Sequence, residues 1–324
     1  MKRLVKGVLL FAILMGVAAS NLAAQEPYPS KPITLIHGFA AGGSTDLAAR
    51  AYSVVAPKYL KQPVVVVPKP GGSGIVVLQF LASAKPDGYV LHLGRPGEMT
   101  YGPFIEKVTY DVEKDFVPIA QIATDELVIT FSSKAPWKNI EELIADAKKE
   151  PGKIKFASST PTSSTRLIFE AFCHMVGIKL TCVPFKGSAP AVIAVAGGHL
   201  PIICATISEV LSHVQRGDVR PILMTGNRKA KEFPDVPIPR EKGWDFDMAS
   251  WQTLFAASGT PPAIISQVES VSKQVVDDND FKSAMSAMGS KEIFLSGKDF
   301  AKYWAGERKR MGALIKELGI SNIK

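Results

Sequence analysis

A glycine-rich stretch at residues 38–46, with the sequence GFAAGGSTD, constrains the fold more than any other part of the chain. It follows the apolar run Ile33 to Ile36 and precedes an apolar-rich run from Leu47, so the pattern predicts a strand, a tight turn and a helix N-terminus. Glycine tolerates positive φ and lets the backbone approach a bound group. The first N–H groups of a helix have no intrahelical partner and carry partial positive charge, so this turn is a candidate anion site.

The turn differs from a nucleotide-binding P-loop, G-x-x-x-x-G-K-[ST], at one decisive position. Gly38, Gly43 and Thr45 fit that motif, but Ser44 stands where the P-loop has its lysine. Because that lysine neutralises the β- and γ-phosphates, its loss argues against a triphosphate and favours a smaller anion such as a carboxylate. The alternative is a plain glycine-rich turn before a helix capped by Ser44, Thr45 or Asp46.

A second glycine-rich turn follows the next predicted strand. Residues 64–67 are four valines, typical of a buried strand, and they lead into PGGSG at residues 70–74 and a predicted helix from Ile75. Two glycine turns after neighbouring parallel strands lie together at the carboxyl ends of the sheet. Open α/β sheets bind ligands at that edge.

A third candidate turn, residues 158–165 with the sequence SSTPTSST, lies further along the chain. It follows a predicted strand at residues 154–157 and precedes a predicted helix at 167–175, and every residue in it except Pro161 carries a hydroxyl. Helix capping accounts for one or two of these hydroxyls, and the others are candidates for donating hydrogen bonds to an anion.

Short β-branched runs alternate with helical stretches from Lys31 onward, as in α/β folds. The pattern predicts two α/β units, with the chain passing out near Asp125 and returning near Ser250. Within the second unit a helix is expected to open at Trp137. The chain is expected to close with helices at residues 280–288 and 298–318.

The N-terminus has the pattern of a secretory signal peptide. Lys2, Arg3 and Lys6 precede an apolar run at residues 8–19 that is too short to span a membrane comfortably, and cleavage is expected between about Ser20 and Gln25. Removal of the leader lowers the formal net charge from +8 to +5. We therefore expect a periplasmic protein.

The remaining cations are dispersed among acids, so a nucleic-acid partner is not expected, although a mild positive field helps to gather anions. Three cysteines, Cys173, Cys182 and Cys204, show no metal-binding spacing. Their pattern favours buried thiols, with a bridge between Cys173 and Cys182 as the alternative.

Catalytic motifs are missing from the sequence. It contains neither G-x-S-x-G nor G-x-G-x-x-G, and its five histidines are scattered, so no metal or cofactor is expected. Arg95, after a predicted strand at 89–93, and Arg166, at the end of the hydroxyl-rich turn, are candidates for binding a carboxylate, with surface solvation as the alternative. Anion-binding turns without a catalytic set favour a receptor over an enzyme.

At these residues the chain resembles the Bug-type extracytoplasmic solute receptors of tripartite tricarboxylate transporters. The resemblance covers nearly all of the mature chain, and its motifs are specific only together. They are Tyr28-Pro29-Ser30-Lys31-Pro32-Ile33, FAAGGSTD at 39–46, PGGSG at 70–74, PDGY at 86–89, DFVPI at 115–119, VPFKG at 183–187, PDVP at 234–237, and Trp251 with GTP at 259–261.

The resemblance implies a two-domain clamshell of periplasmic-binding-protein type, type II-like, with a ligand cleft between the domains. Residues 1–24 would be the signal peptide, 25–124 and 252–324 domain I, and 125–251 domain II. The implied ligand is a small carboxylate: a di- or tricarboxylate, an acidic amino acid or an aromatic acid. A monomer that loads a two-component membrane carrier is implied as well.

The residues expected to bind this ligand lie in the three turns and in the segments beside them. They are Phe39, Ala41, Gly42, Gly43, Ser44, Thr45, Asp46, Gly72, Ser73, Arg95, Ser158, Ser159, Thr160, Ser163, Ser164, Thr165, Arg166, Lys186 and Thr206. Two other functions stay open at this point. One is a carboxylate sensor for a membrane signalling system, and the other is a secreted enzyme with His37 or Asp46 as base.

Overall fold

The computed structural model describes residues 27–321, so the predicted signal peptide lies outside the described residues. Eleven strands occur in this part of the chain. They are β1 (Ile33–His37), β2 (Val64–Pro68), β3 (Val90–Gly94), β4 (Phe116–Asp125), β5 (Leu127–Ser132), β6 (Lys155–Ser158), β7 (Thr181–Pro184), β8 (Ile202–Thr206), β9 (Val219–Met224), β10 (Ser250–Ala257) and β11 (Ser290–Ser296).

Eleven α-helices connect and cover these strands within residues 27–321. They are α1 (Ser44–Val55), α2 (Pro57–Leu60), α3 (Ile75–Ser83), α4 (Gly102–Ile105), α5 (Ile140–Lys149), α6 (Ser164–Met175), α7 (Ser188–Ala196), α8 (Ile207–Gln215), α9 (Pro262–Asp277), α10 (Asn279–Ala287) and α11 (Gly297–Glu317). A π-helical turn at Gly97–Tyr101 precedes α4, and short 3₁₀ turns occur at Gly72–Gly74 and Pro239–Lys242.

The strands form two sheets, each with helices packed against it. The first has the order β11-β4-β10-β3-β1-β2, and the second has the order β7-β6-β8-β5-β9. In the first sheet β1 is parallel to both β2 and β3, whereas β10 is antiparallel to β3 and β4. We call each sheet with its helices a lobe, so the molecule is an α/β protein with two lobes.

The chain crosses between the lobes twice, by a short connection outward and by a longer one back. It leaves the first lobe where β4 ends at Asp125 and enters the second where β5 begins at Leu127. The return runs from the end of β9 to the start of β10 at Ser250, and the Met248 N–H donates to the Thr225 carbonyl on the way at 2.9 Å. Both passages meet beside the first sheet, because Ser250 lies opposite Asp125 in the β4–β10 register.

Each lobe has its own hydrophobic core. In the first lobe, Tyr52 of α1 is fully buried and its hydroxyl hydrogen-bonds Ser272 of α9 at 3.0 Å, so helices distant in sequence meet beneath the sheet. In the second lobe, Phe172 stacks on Phe169 and makes an edge contact with Phe246. A further buried cluster packs Leu167 of α6, in the second lobe, against Met311 of α11, in the first.

Three expectations about local structure need correction. The helix expected at Trp137 begins at Ile140, because the Asn139 side chain caps it by accepting from the Glu142 N–H at 2.9 Å. Strand β11 was not expected; its apolar run, Ile293 to Leu295, is short, and the strand pairs with β4 at the edge of the first sheet. Of the three cysteines, which are free thiols, Cys182 is only half-buried.

Two further observations bear on membranes and metals. Among residues 27–321, no helix combines the length and apolar character needed to cross a bilayer. The same part of the chain contains no group of three or more histidine, cysteine, aspartate or glutamate side chains placed to hold a metal ion.

Candidate functional site

The two glycine-rich turns of the first lobe touch each other, as the sequence predicts. They follow the parallel neighbours β1 and β2. A Cβ added at Gly38 would lie only 2.9 Å from Gly74 Cα and 2.9 Å from a Glu98 carboxylate oxygen. Gly74 has φ +100°, and a Cβ there would lie 2.5 Å from Glu98 Cβ. Only glycine therefore fits at these two points.

Asp46 organises the first loop, residues 38–46, from inside. It is buried, and its Oδ2 accepts the Gly42 N–H at 2.9 Å and the Arg50 Nε–H at 2.8 Å. Its Oδ1 lies 3.1 Å from His37 Nε2. The N-cap residue of α1 is Gly43, and no side chain caps this helix. Asp46 therefore stabilises the turn by accepting a hydrogen bond from Gly42, which precedes the N-cap, and not by capping the helix itself.

The ionisation of this pair follows from burial and hydrogen bonding. Burial acts to raise the pKa of Asp46, but the hydrogen bonds from Arg50, the Gly42 N–H and His37 outweigh it and hold the pKa below its usual value. Burial lowers the pKa of His37, and Asp46 offsets part of that shift. Since His37 is fully buried, a substrate has no access to it as a base in this conformation.

Arg95, which follows β3, is buried behind the first loop. Its Nη1 donates to Ser44 Oγ at 2.6 Å and to Thr45 Oγ1 at 3.2 Å. Its Nη2 donates to Asp125 Oδ2 at 2.5 Å, and its guanidinium lies 5.9 Å from the centroid of the half-exposed Phe39 ring. The side chain expected to bind a ligand carboxylate is thus already paired with a protein carboxylate.

A second buried pair lies under the glycine turns. Glu98 Oε1 is 2.9 Å from His92 Nε2, and both residues are almost completely buried. The other ring nitrogen of His92 lies 3.2 Å from the Ile36 carbonyl oxygen. This pair packs beneath Gly38 and Gly74, which explains why both turns must lack side chains there.

The hydroxyl-rich turn of the second lobe, residues 158–165, forms a local network. Ser163 caps α6 by accepting the Arg166 N–H at 3.3 Å, and its Oγ also lies 3.1 Å from Ser158 Oγ and from Thr165 Oγ1. The Thr160 carbonyl accepts from Ser158 Oγ at 2.8 Å. Capping and local bonding therefore occupy more of these hydroxyls than the sequence alone indicates.

The turn from the second lobe reaches the first lobe at Gly97. The Gly97 N–H donates to Ser164 Oγ at 3.2 Å. Thr162 lies beside this contact, and its Oγ1 is buried without a hydrogen-bond partner among the described residues. Ser44 and Ser164, at the starts of α1 and α6, are thus linked through the short segment from Arg95 to Gly97.

The other predicted residues of the second lobe lie around this turn. Arg166 donates to Glu170 Oε1 at 3.0 Å and to the Pro161 carbonyl at 2.6 Å, so its charge is already paired. Exposed Lys186 lies next to Gly187, whose N–H donates to the Ser159 carbonyl at 2.8 Å. Thr206 precedes α8, and its N–H donates to Glu209 at 3.1 Å.

The remaining predicted residues lie at the exposed surface of the glycine turns. Ala41, Gly42 and Gly72 are exposed, and Ser73 is half-buried with φ +53°. Sequence reasoning missed Gly97, Thr162 and the role of Asp125. Only the position of Asp125 at the crossover gave a signal in the sequence.

Comparison with known families and relatives gives one consistent result. The model of the tripartite tricarboxylate transporter family receptor matches residues 48–320. Protein BugT of Bordetella pertussis is 29% identical over 322 aligned residues, which cover 98% of each chain. The similarity therefore extends over both lobes.

Solved structures agree with this result. The periplasmic binding protein BugD has a TM-score of 0.81 at 26% identity, over 91% of this chain and 99% of that one. A protein of R. palustris solved with adipate has a TM-score of 0.83 at 25% identity, over the same shares of the two chains. The arrangement of two sheets described above is thus that of periplasmic binding proteins.

Proposed function

This chain belongs to the tripartite tricarboxylate transporter receptor family, and from that premise we propose that it captures a small organic acid and delivers it to a two-component membrane carrier. One observation carries the proposal. The N-terminal ends of α1 and α6, from different lobes, converge on the segment from Arg95 to Gly97. A ligand bound there would contact both lobes at once.

The charges around this point favour a carboxylate over a more highly charged anion. Arg95 is paired with Asp125 and Arg166 with Glu170, so neither cation is left to neutralise a phosphate. The groups available are helix N–H groups and hydroxyls, which stabilise one diffuse negative charge. The R. palustris relative solved with adipate, a dicarboxylate, supports the same ligand class.

We propose that the ligand lies between the first loop, residues 38–46, and the turn at residues 158–165. The backbone N–H groups at the start of α1 and the hydroxyls at the start of α6 would hold one carboxylate. The 70–74 turn, Lys186 and Thr206 would line the remainder of the cleft and set specificity. Arg95 and Arg166 would act through the residues they hold in place.

The organisation of the mature protein follows the same proposal. The signal peptide, residues 1–24, would be removed on export to the periplasm. Domain I would comprise residues 25–124 and 252–324, and domain II would comprise residues 125–251. The protein would act as a monomer that closes by hinge motion at the crossover strands.

Isothermal titration against a panel of acids tests this function. The panel contains adipate, malate, citrate, glutamate and benzoate, and a neutral sugar and a diamine are the controls. We expect heat of binding from at least one acid and none from the controls. Binding of the sugar or the diamine, with no response to any acid, would contradict the proposal.

Native mass spectrometry of protein purified without dialysis gives an independent check. We expect a co-purified small acid, which would also identify the natural ligand. A co-purified cation or neutral metabolite would point to a different ligand class.

A further inference from the structure

Arg95 connects three parts of the first lobe that are far apart in sequence. It contacts Ser44 and Thr45 at the start of α1 on one side. On the other side it contacts Asp125 at the end of β4 and Ser250 at the start of β10, where the Arg95 Nη2–Ser250 Oγ distance is 3.0 Å. One planar guanidinium therefore spans from the first loop to both crossover connections.

Asp125 anchors the hinge side of this connection. Its Oδ1 accepts from Ser290 Oγ at 2.6 Å and from Gln252 Nε2 at 2.9 Å, in addition to the bond from Arg95 to Oδ2. Ser250 and Ser290 both lie opposite Asp125 in their strand registers. The carboxylate therefore joins three adjacent strands at the point where the chain leaves the lobe.

The pairing is rigid for a physical reason. The side chains of Arg95 and Asp125 are 10% and 1% exposed, so water screens their interaction little. The guanidinium offers a flat array of donors, and its partners lie on opposite sides of it. Lysine would keep the charge but would be unable to reach Ser44, Asp125 and Ser250 together.

The chain also carries this connection across to the second lobe. Two residues after Arg95, the Gly97 N–H donates to Ser164 Oγ at the start of α6. A displacement of Arg95 by the first loop would shift the crossover strands and the contact between the lobes together.

We propose that Arg95 is a positioning residue that couples the first loop to the hinge, so that occupancy of the loop sets the separation of the two lobes. The identity of the ligand as a small acid rests on the proposed function, but the coupling itself can be tested without any ligand. Asp125 is the anchor of the coupling, and Ser44 is its contact with the loop.

The experiment measures the distance between the lobes by double electron–electron resonance. Spin labels are placed at the exposed positions Lys85→Cys, in the first lobe, and Lys148→Cys, in the second, in a Cys182→Ala background. Without ligand, Arg95→Lys should broaden the distance distribution about twofold, because the hinge is no longer tied to the loop. Asp125→Asn should do the same, and the double variant should add nothing further, since both residues act through one contact.

A matched control separates coupling from loss of stability. Arg220 lies in the second lobe, where its Nη2 donates to the Ala135 and Trp137 carbonyls at 3.3 and 2.9 Å. Arg220→Lys should lower the melting temperature and leave the distance distribution unchanged. A wild-type distribution in folded Arg95→Lys protein would overturn the proposal.

A milder variant covers the case in which Arg95→Lys does not fold. Ser44→Ala removes the 2.6 Å contact on the loop side and keeps the buried ion pair. It should broaden the distribution partially, and an unchanged distribution would again overturn the coupling.

Adding 10 mM adipate to the same labelled proteins tests the link to the ligand. Adipate should narrow the wild-type distribution and should not narrow that of Arg95→Lys. Failure of adipate to act on the wild type would count against the ligand class, whereas the ligand-free comparison still decides the coupling. Equal narrowing of the distance distribution in the wild type and in Arg95→Lys would overturn the coupling.

Discussion

The Gly97 N–H donates to Ser164 Oγ at 3.2 Å, and this bond joins the first lobe to the second. Gly97 begins the π-helical turn after Arg95, and Ser164 begins α6. A Cβ added at Gly97 would lie 3.2 Å from the Thr162 carbonyl oxygen, so the two backbones approach closely. The lobes thus meet at the proposed binding turns as well as at the crossover strands.

Loss of this bond should weaken ligand binding. Ser164→Ala removes one hydrogen bond between the lobes, worth about 1 kcal/mol, so Kd for the tightest-binding acid of the panel should rise about fivefold. Titration calorimetry measures the change. Ser53→Ala is the control, because Ser53 Oγ donates to the Arg50 carbonyl within its own helix at 2.8 Å. An unchanged Kd in Ser164→Ala would show that the bond is not part of the ligand-bound state.

The contact between the two glycine turns predicts a large loss of stability in Gly74→Ala. The added methyl would meet Glu98 at 2.5 Å, at a backbone position with φ +100°. We expect a loss of about 3 kcal/mol or more in the free energy of unfolding, measured by urea denaturation.

Gly177→Ala is the matched control for this variant. Gly177 has φ +70° but nothing within 4 Å of an added Cβ, so only backbone strain of about 1 kcal/mol is expected. Equal losses of unfolding free energy in Gly74→Ala and Gly177→Ala would show that the clash with Glu98 adds nothing to the destabilisation.

Because the carboxyl group of Glu307 in α11 is buried, we expect the stability of the protein to depend on pH. Glu307 accepts from Trp251 Nε1 at 2.8 Å and from Thr100 Oγ1 at 3.2 Å, and burial raises its pKa to about 7. The folded state binds this proton more tightly than the unfolded state. Protonated Glu307 therefore adds to the free energy of unfolding, and this stabilisation is fully present below about pH 4.5 and is lost as the pH rises through 7. It amounts to about 3 kcal/mol by linkage.

Urea denaturation at pH 5, 6, 7 and 8 measures this effect. The difference in stability between the wild type and Glu307→Gln should shift in favour of the variant as the pH rises. Glu150→Gln, at an exposed position, should show no such trend. Parallel pH profiles for the wild type and Glu307→Gln would contradict a raised pKa.

The pair of His37 and Asp46 predicts a shift that NMR can follow. Burial lowers the pKa of His37, and Asp46 offsets part of that shift. Asp46→Asn removes the negative charge 3.1 Å from Nε2, so the pKa of His37 should fall further. A rise in the pKa of His37 would contradict the assignment.

Sequence periodicity predicted most elements well where the local signal is strong. The four valines at residues 64–67 lie in β2, Val64–Pro68, and the strand expected at residues 89–93 is β3, Val90–Gly94. The strand β11 was missed because its apolar run, Ile293 to Leu295, is only three residues long, and pairing with β4 extends it to Ser290–Ser296. The π-helical turn at Gly97–Tyr101 also gave no periodic signal.

The amino-acid sequence by itself determined the α/β pattern, the glycine turns at 38–46 and 70–74, and the lack of a P-loop lysine, because these depend on residue type and local order. Only the tertiary structure decided that Arg95 is paired with Asp125 and that Gly97 meets Ser164. The first pair is 30 positions apart in the sequence and the second pair 67 positions, so both contacts depend on how the sheets and lobes pack. Residue type identifies a group that can bind an anion, but packing decides whether a protein group already occupies it.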